Sequence, residues 1–253
     1  MTVRTFTFAQ RPELWDGLED LSRDVWPEYN RHGDVLNRYW SRLYDELPGF
    51  QAVLVDDDDR VLAEVHSAPC RWDGTRAGLP AGIDGAIAAV FERGDGEPDT
   101  LCALAVEVVP ATQGRGVSSH ALRAFRSLAT GAGLGAVIVP VRPSLKERYP
   151  LVPIERYASW RRDDGLPFDP WLRTHERAGG RIVRPEPHSL RITGTIAQWE
   201  SWTAMAFPDD GDYVFPHGLA PVSIDRGADR GSYWEPNVWV VHDGASADAG
   251  GAH

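Results

Sequence analysis

The stretch from Leu101 to Leu128 constrains this chain more than any other. LCALAVEVV is a nearly continuous apolar run, the pattern of a strand buried in a sheet. A turn led by Pro110 follows, carrying Gln113-Gly114-Arg115-Gly116-Val117-Ser118, and SSHALRAFRSLA then reads as an amphipathic helix. A glycine-bearing turn between a strand and a helix N-terminus leaves backbone N–H groups unpaired and pointing one way, where the helix dipole adds partial positive charge. That arrangement is a diphosphate cradle.

The spacing separates this turn from other phosphate loops. It lacks the Gly-Lys-Ser/Thr ending of a P-loop, and its glycines do not stand in G-x-G-x-x-G order. Gln113-x-x-Gly116-x-Ser118, preceded by Val108-Val109-Pro110, resembles instead the pyrophosphate loop of the GNAT acyltransferase superfamily, Q/R-x-x-G-x-G/A. Ser118 departs from the family's Gly or Ala but is nearly as small. Alone, the same six positions also fit an ordinary glycine turn of an α/β sheet.

Composition narrows the alternatives. The formal charge of −11 comes without any Lys/Arg cluster, so the electrostatic footprint of a nucleic-acid binder is missing. Cys70 and Cys102 are far apart and form no C-x-x-C pair, which suggests neither a disulfide framework nor a zinc site. His120, His188, His217 and His242 show no metal-ligand spacing either, and no metal is expected. There is no apolar h-region and no membrane-length apolar run, so the expected compartment is the cytoplasm.

Along the chain, Val3 to Ala9 alternates as a strand, and Pro12 opens an amphipathic segment with Leu14, Trp15, Leu18, Leu21 and Val25 on one face. A second helix follows Gly33, with Leu36, Tyr39, Trp40, Leu43 and Leu47. Phe50 to Val55 and Arg60 to His66 flank four aspartates and read as a hairpin with a solvated turn. Trp72 to Pro98 looks like an insertion holding one helix near Ile83 to Glu92. Ala136 to Val141 is a second buried strand, Arg142 to Pro167 an aromatic and charged insertion, and about Pro170 to Ala178 a helix ended by Gly179-Gly180. Strands are predicted at Arg181 to Val183, Ser189 to Thr193 and Asn237 to Val241, and a helix at Ile196 to Met205. The Gly/Ala-rich tail from residue 244 is expected to be disordered.

This element order matches a GNAT fold, and two further segments share the resemblance. Trp171 to Val183 is similar to the family's fourth-helix signature, and Val139-Pro140-Val141-Arg142 stands where its fifth strand splays from the fourth. The resemblance spans about Val3 to Val183. It implies a single enlarged α/β domain over residues 1–243, with a mixed central sheet flanked by helices, insertions at about 70–99 and 143–168, and a sheet extension over about 185–243. It also implies an acyl-CoA co-substrate, acetyl-CoA in the first instance. The diphosphate would be held by Gly114, Arg115, Gly116, Val117 and Ser118, with Gln113 shaping the turn and Val108 and Val109 pairing with the pantetheine arm. The implied reaction is direct acyl transfer to a small-molecule amine. Rival readings keep the CoA site but decarboxylate a malonyl-CoA-type substrate or acylate a carrier-protein thiol, or keep only a non-catalytic binding scaffold.

Two residues are candidate acid–base groups. Glu107 interrupts the apolar strand just before the loop, where burial raises a carboxyl pKa toward that of a useful base; a structural Glu paired with an arginine fits the same position. His175 falls where the family often has a tyrosine that acts as general acid, and histidine can give a proton at neutral pH. It can equally be a polar helix end favouring the C-terminal dipole. The insertion residues Lys146, Arg148, Tyr149, Glu155, Arg156, Tyr157, Trp160, Arg161 and Arg162 enter where the acceptor should lie, either to bind it or to form a lid core. The negative net charge favours a cationic acceptor and these arginines an anionic one. Trp234 to Trp239 pose the same choice, and the tryptophan-rich last third offers a surface to a second copy.

Overall fold

A computed structural model describes residues 2–18, 21–92 and 96–243, so the expected tail lies outside the described residues. The elements run β1 (Arg4–Thr7), α1 (Leu21–Val25), α2 (Leu36–Glu46), β2 (Gln51–Val55), β3 (Val61–Cys70), α3 (Gly82–Glu92), β4 (Thr100–Val108), α4 (Val117–Gly131), β5 (Ala136–Val141), α5 (Ile154–Ala158), α6 (Pro170–Arg177), β6 (Arg181–Gly194), α7 (Ile196–Thr203), β7 (Gly211–Tyr213), β8 (Val222–Asp225) and β9 (Arg230–Asp243). No helix among the described residues is long and apolar enough to cross a membrane.

The nine strands of the described residues join one mixed sheet. Neighbours from β1 to β4 are antiparallel, β4 and β5 are parallel, and β5 meets β9 antiparallel. Alternate residues feed two cores, one on each face. Leu101, Ala103, Val137, Val139, Val238 and Val240 pack with Ala121, Leu122 and Phe125 of α4. Cys102, Leu104, Ile138, Trp239 and Val241 pack with Ile83, Ala86 and Ile87 of α3 and with Leu43 of α2. Helices on both faces explain why the central strands read as continuous apolar runs.

Three local readings are refined. The segment opened by Pro12 forms a 3₁₀ turn at Pro12–Trp15 and then the short α1, not one amphipathic helix. The strands expected at Arg181 to Val183 and Ser189 to Thr193 are one strand, β6, with register irregularities between Ile182 and Arg184 and between Glu186 and Leu190. Pro187 and the facing Pro236 supply no N–H at the second irregularity, so the ladder breaks there while the strand continues. Residues after Pro185 join the sheet as expected, but β9 enters its centre: β6 lines one edge of β9, while β5 and β8 share the other.

Two departures from regular pairing shape the middle of the sheet. Parallel pairing of β4 with β5 ends after Cys102↔Ile138, and beyond it the strands splay apart. At the same level β4 bulges: His66↔Ala105 is followed by Ser67↔Ala103, two residues on β4 against one on β3. A bulge moves every later side chain to the opposite face. Leu101 and Ala103 therefore face α4 before it and Val106 and Val108 after it, which turns Glu107 toward α2.

Candidate active site

A cavity of about 750 Å³ opens at the splay, walled by Ala103 to Glu107 of β4, Val139 to Val141 of β5, and Leu122 and Phe125 of α4. Its other walls come from Ser22, Trp26, Asn30 and Arg31, from Trp40, Ser41 and Tyr44 of α2, from Trp171 and His175 of α6, and from Glu235 and Asn237 of β9.

The glycine turn lies just past the end of β4. Pro110–Thr112 form a 3₁₀ turn, and Gly114 and Gly116 adopt φ of 75° and 79°. Left-handed backbone of this kind is strained for any residue with a Cβ, which is why the turn needs glycine at both positions. Gly116 caps α4, and the N–H groups of Gly114, Gly116, Val117 and Ser118 have no backbone partner among the described residues. The Arg115 N–H is partly engaged, at 3.4 Å from the Thr112 carbonyl. Gln113 turns its amide back onto the Val108 carbonyl at 3.4 Å. A fifteen-residue helix adds its dipole to these free donors.

Glu107 is 3% exposed and accepts a hydrogen bond from Trp26 Nε1 at 2.7 Å. Burial holds its pKa above the ordinary carboxylate value, opposed by His66 and the Trp26 bond and assisted by Glu64. Glu64 is its cross-strand partner and His66 lies two residues along the same face. One ligand-type atom from each of the three lies within 4.8 Å of the others. Glu64 Oε1 already accepts from Trp15 and from Tyr44, the latter at 2.6 Å, so neutral donors hold that carboxylate in place. A second cleft, lined by Trp15, Trp40, Tyr44, Glu13 and Asp16, reaches Glu64, His66 and Glu107 from the other side.

His175 is fully buried and borders the cavity. Its helix starts at Asp169, whose carboxylate caps the N–H groups of Trp171 and Leu172 and also accepts from Tyr157. It ends in a Schellman motif, with Gly179 N–H bonded to the Glu176 carbonyl and Gly180 N–H to that of His175. Burial, with His242 adding to it, lowers the His175 pKa to about 3, so the ring is neutral at pH 7. The expectation of an imidazolium that gives a proton at neutral pH does not fit this environment. A neutral imidazole offers one N–H donor and one acceptor instead.

Of the two readings of the insertion after β5, the structure fits the lid core. Tyr149, Tyr157, Trp160 and Phe168 form an aromatic cluster, Arg161 pairs with Glu176 and Arg162 with Asp164. Lys146 donates to the carbonyls of Tyr149 and Leu219, at 2.8 and 2.5 Å. None of these residues lines the cavity; Arg142 and Ser144 do. Arg142 is neutralised by Glu235, which also accepts from Tyr233 and from Asn30. Glu235 lies on the stretch of β9 between its pairing with β8 and its pairing with β5. Sequence reading missed Trp26, Trp40, Tyr44, Glu64 and His66, which come from distant segments, whereas Glu235 and Asn237 of the Trp234 to Trp239 segment do line the cavity. A faint signal existed in Trp40 and Tyr44, one helical turn apart on α2.

No family model matches the chain. It is 33% identical, over 272 aligned residues covering 93% of this chain and 92% of the other, to the arginine N-acetyltransferase avaD of Aspergillus versicolor. Among solved structures it is similar to the loading GNATL domain of CurA from Lyngbya majuscula, with a TM-score of 0.59 at 18% identity, covering 96% of this chain and 98% of that one. It is also similar to the GphF GNAT-like decarboxylase in complex with isobutyryl-CoA, with a TM-score of 0.59 at 19% identity, covering 96% and 99%. These two share its fold.

Proposed function

The chain belongs to the GNAT superfamily and is an acyltransferase of the N-acetyltransferase type, and from that premise we propose that it moves an acyl group from acyl-CoA to the amine of a small cationic acceptor of the arginine type. The observation that carries the reading is the splay cavity itself, with free loop N–H groups just beyond β4 and a buried carboxylate in the cavity wall. The diphosphate of acetyl-CoA or a related acyl-CoA would sit on residues 113–118, with the pantetheine arm running along Val108 and Val109 into the splay.

The charge balance of the cavity favours a cation. Arg142 and Glu235 cancel, Arg31 pairs with Glu28, and Arg161 and Arg162 of the insertion pair with Glu176 and Asp164 away from the cavity. Glu107 and Glu64 remain as the acidic pole, framed by Trp26, Trp40 and Tyr44, whose rings can stack on a guanidinium or ammonium group. Arginine, the acceptor named for the relative, carries the right charge for this pole.

In the proposed step the amine nitrogen bonds to the thioester carbonyl carbon and the C–S bond breaks. Glu107 takes the ammonium proton, a role for which its raised pKa suits it. The departing thiolate takes a proton from solvent, while His175 donates a hydrogen bond toward the thioester as a neutral ring. Products are the amide, free CoA thiol and one proton.

Thiol release from acetyl-CoA in a panel of arginine, lysine, agmatine and glutamate tests this, with CO2 release from malonyl-CoA run in parallel. Turnover with arginine or agmatine and none with glutamate is the expected result. Thiol release only with glutamate would overturn the acceptor class, and CO2 release without amine dependence would overturn the transfer reaction.

A further inference from the structure

Behind His175, on the side away from its unpartnered Nε2, runs a chain of nitrogen atoms that none of the chemistry above uses. His175 Nδ1 lies 2.9 Å from His242 Nε2 on β9, and His242 Nδ1 lies 3.0 Å from Arg126 Nη2 on α4. The same Nη2 bonds the Ala178 carbonyl at the end of α6. A guanidinium only donates hydrogen bonds. Its second Nη2 hydrogen therefore points at His242 Nδ1, which must accept. The hydrogen of a neutral His242 is then on Nε2 and is given to His175 Nδ1. That nitrogen accepts in turn, so the hydrogen of His175 is left on Nε2.

We infer that Arg126 and His242 are positioning residues that fix His175 in its Nε2–H tautomer, so that the ring always presents a donor. Several observations agree. His175 Nε2 is buried and has no partner among the described residues, although the ring borders the cavity. Burial, Arg126 and, for His175, the neighbouring ring keep both histidines neutral, His242 with a pKa lowered to about 4. A doubly protonated ring would place donor against donor along the chain. Trp171 packs edge-on against His175, with ring centroids 4.4 Å apart, and restrains the ring. Gly180 makes the contact possible: a Cβ there would stand 2.7 Å from His242 Cε1 and 2.9 Å from its Nε2. The glycine that closes the helix motif thus also leaves room for His242 to reach across.

The role in catalysis rests on the acyl-transfer reading above, whereas the tautomer does not, and the test separates them. Two-bond ¹⁵N–¹H correlation spectra of ¹⁵N-histidine-labelled protein at pH 7, assigned by the signals lost in His175→Gln, report which ring nitrogen carries hydrogen. A pyrrole-like Nε2 and a pyridine-like Nδ1 for His175 are expected in the free protein. Arg126→Met should give mixed tautomers and lower kcat about two- to tenfold, with KM for acetyl-CoA unchanged; Arg126→Lys, which retains a donor-only cation, should restore the pure tautomer and most of kcat. A pyrrole-like Nδ1 in the unmodified protein would overturn the inference whatever reaction the enzyme catalyses. An unaltered His175 spectrum in folded Arg126→Met would remove Arg126 from the chain. The expected tautomer without acyl transfer would instead fail the functional reading alone.

Discussion

The two halves of the cavity are built from different materials. On the proposed donor side, the loop at residues 113–118 offers backbone N–H groups, and two glycines in one short segment create it. On the proposed acceptor side, Glu107, Glu64, His66, Trp26, Trp40 and Tyr44 offer side chains brought from four separate segments. A backbone site depends on local conformation, so it tolerates change at most of its side chains. A side-chain site depends on register and packing, and single atoms in it matter more.

That contrast can be tested by unequal mutational effects. The largest is expected for Glu107→Gln, which keeps the Trp26 hydrogen bond but removes the base: kcat should fall about 10²- to 10³-fold while acetyl-CoA binding by calorimetry is unchanged. Full activity would move the base elsewhere. Acid should reveal the next effect, on the wall between the halves. The unfolded chain binds protons on His175 and His242 below the ordinary histidine pKa near 6.5, while the folded protein resists until about 3 and 4. Stability from these groups is therefore complete above about pH 6.5 and falls as the pH drops, by about 1.4 kcal/mol per pH unit for His175. Urea unfolding at pH 7, 6 and 5 measures it, and in His175→Phe the slope should diminish.

Smaller effects belong to the donor side and the insertion. Gly116→Ala forces a side chain into left-handed backbone, which costs about 1 kcal/mol and misaligns the free N–H groups. KM for acetyl-CoA should rise about tenfold in steady-state kinetics, with kcat nearly retained. Arg161→Ala removes only a half-exposed pair with Glu176, and both stability and acceptor KM should stay within about twofold of the original. A large change in acceptor KM there would return the insertion to the acceptor site and dissolve the distinction drawn between the two halves.

Much of the fold was legible because its signals are local. The buried runs of β4 and β5, the caps of α6, and Gly114 and Gly116 each record a backbone requirement within a few neighbouring residues. Glu107 and His175 also stood out, as polar residues in telling positions. The charged insertion stayed open between two readings because charge and aromatic content look alike in a binding lid and in a self-contained cluster. Only pairing partners such as Glu176 and Asp164 distinguish them.

The sequence by itself determined the strand, glycine turn and helix that make the donor cradle, since φ preferences and apolar periodicity act over short range. Tertiary structure alone decided the rest of the site. The bulge in β4 turned Glu107 to the face of Glu64 and His66, and the central placement of β9 brought Glu235 to Arg142 and His242 to His175. Strand register and strand order are set by the energy of the whole sheet, in which one residue's shift reverses every side chain beyond it.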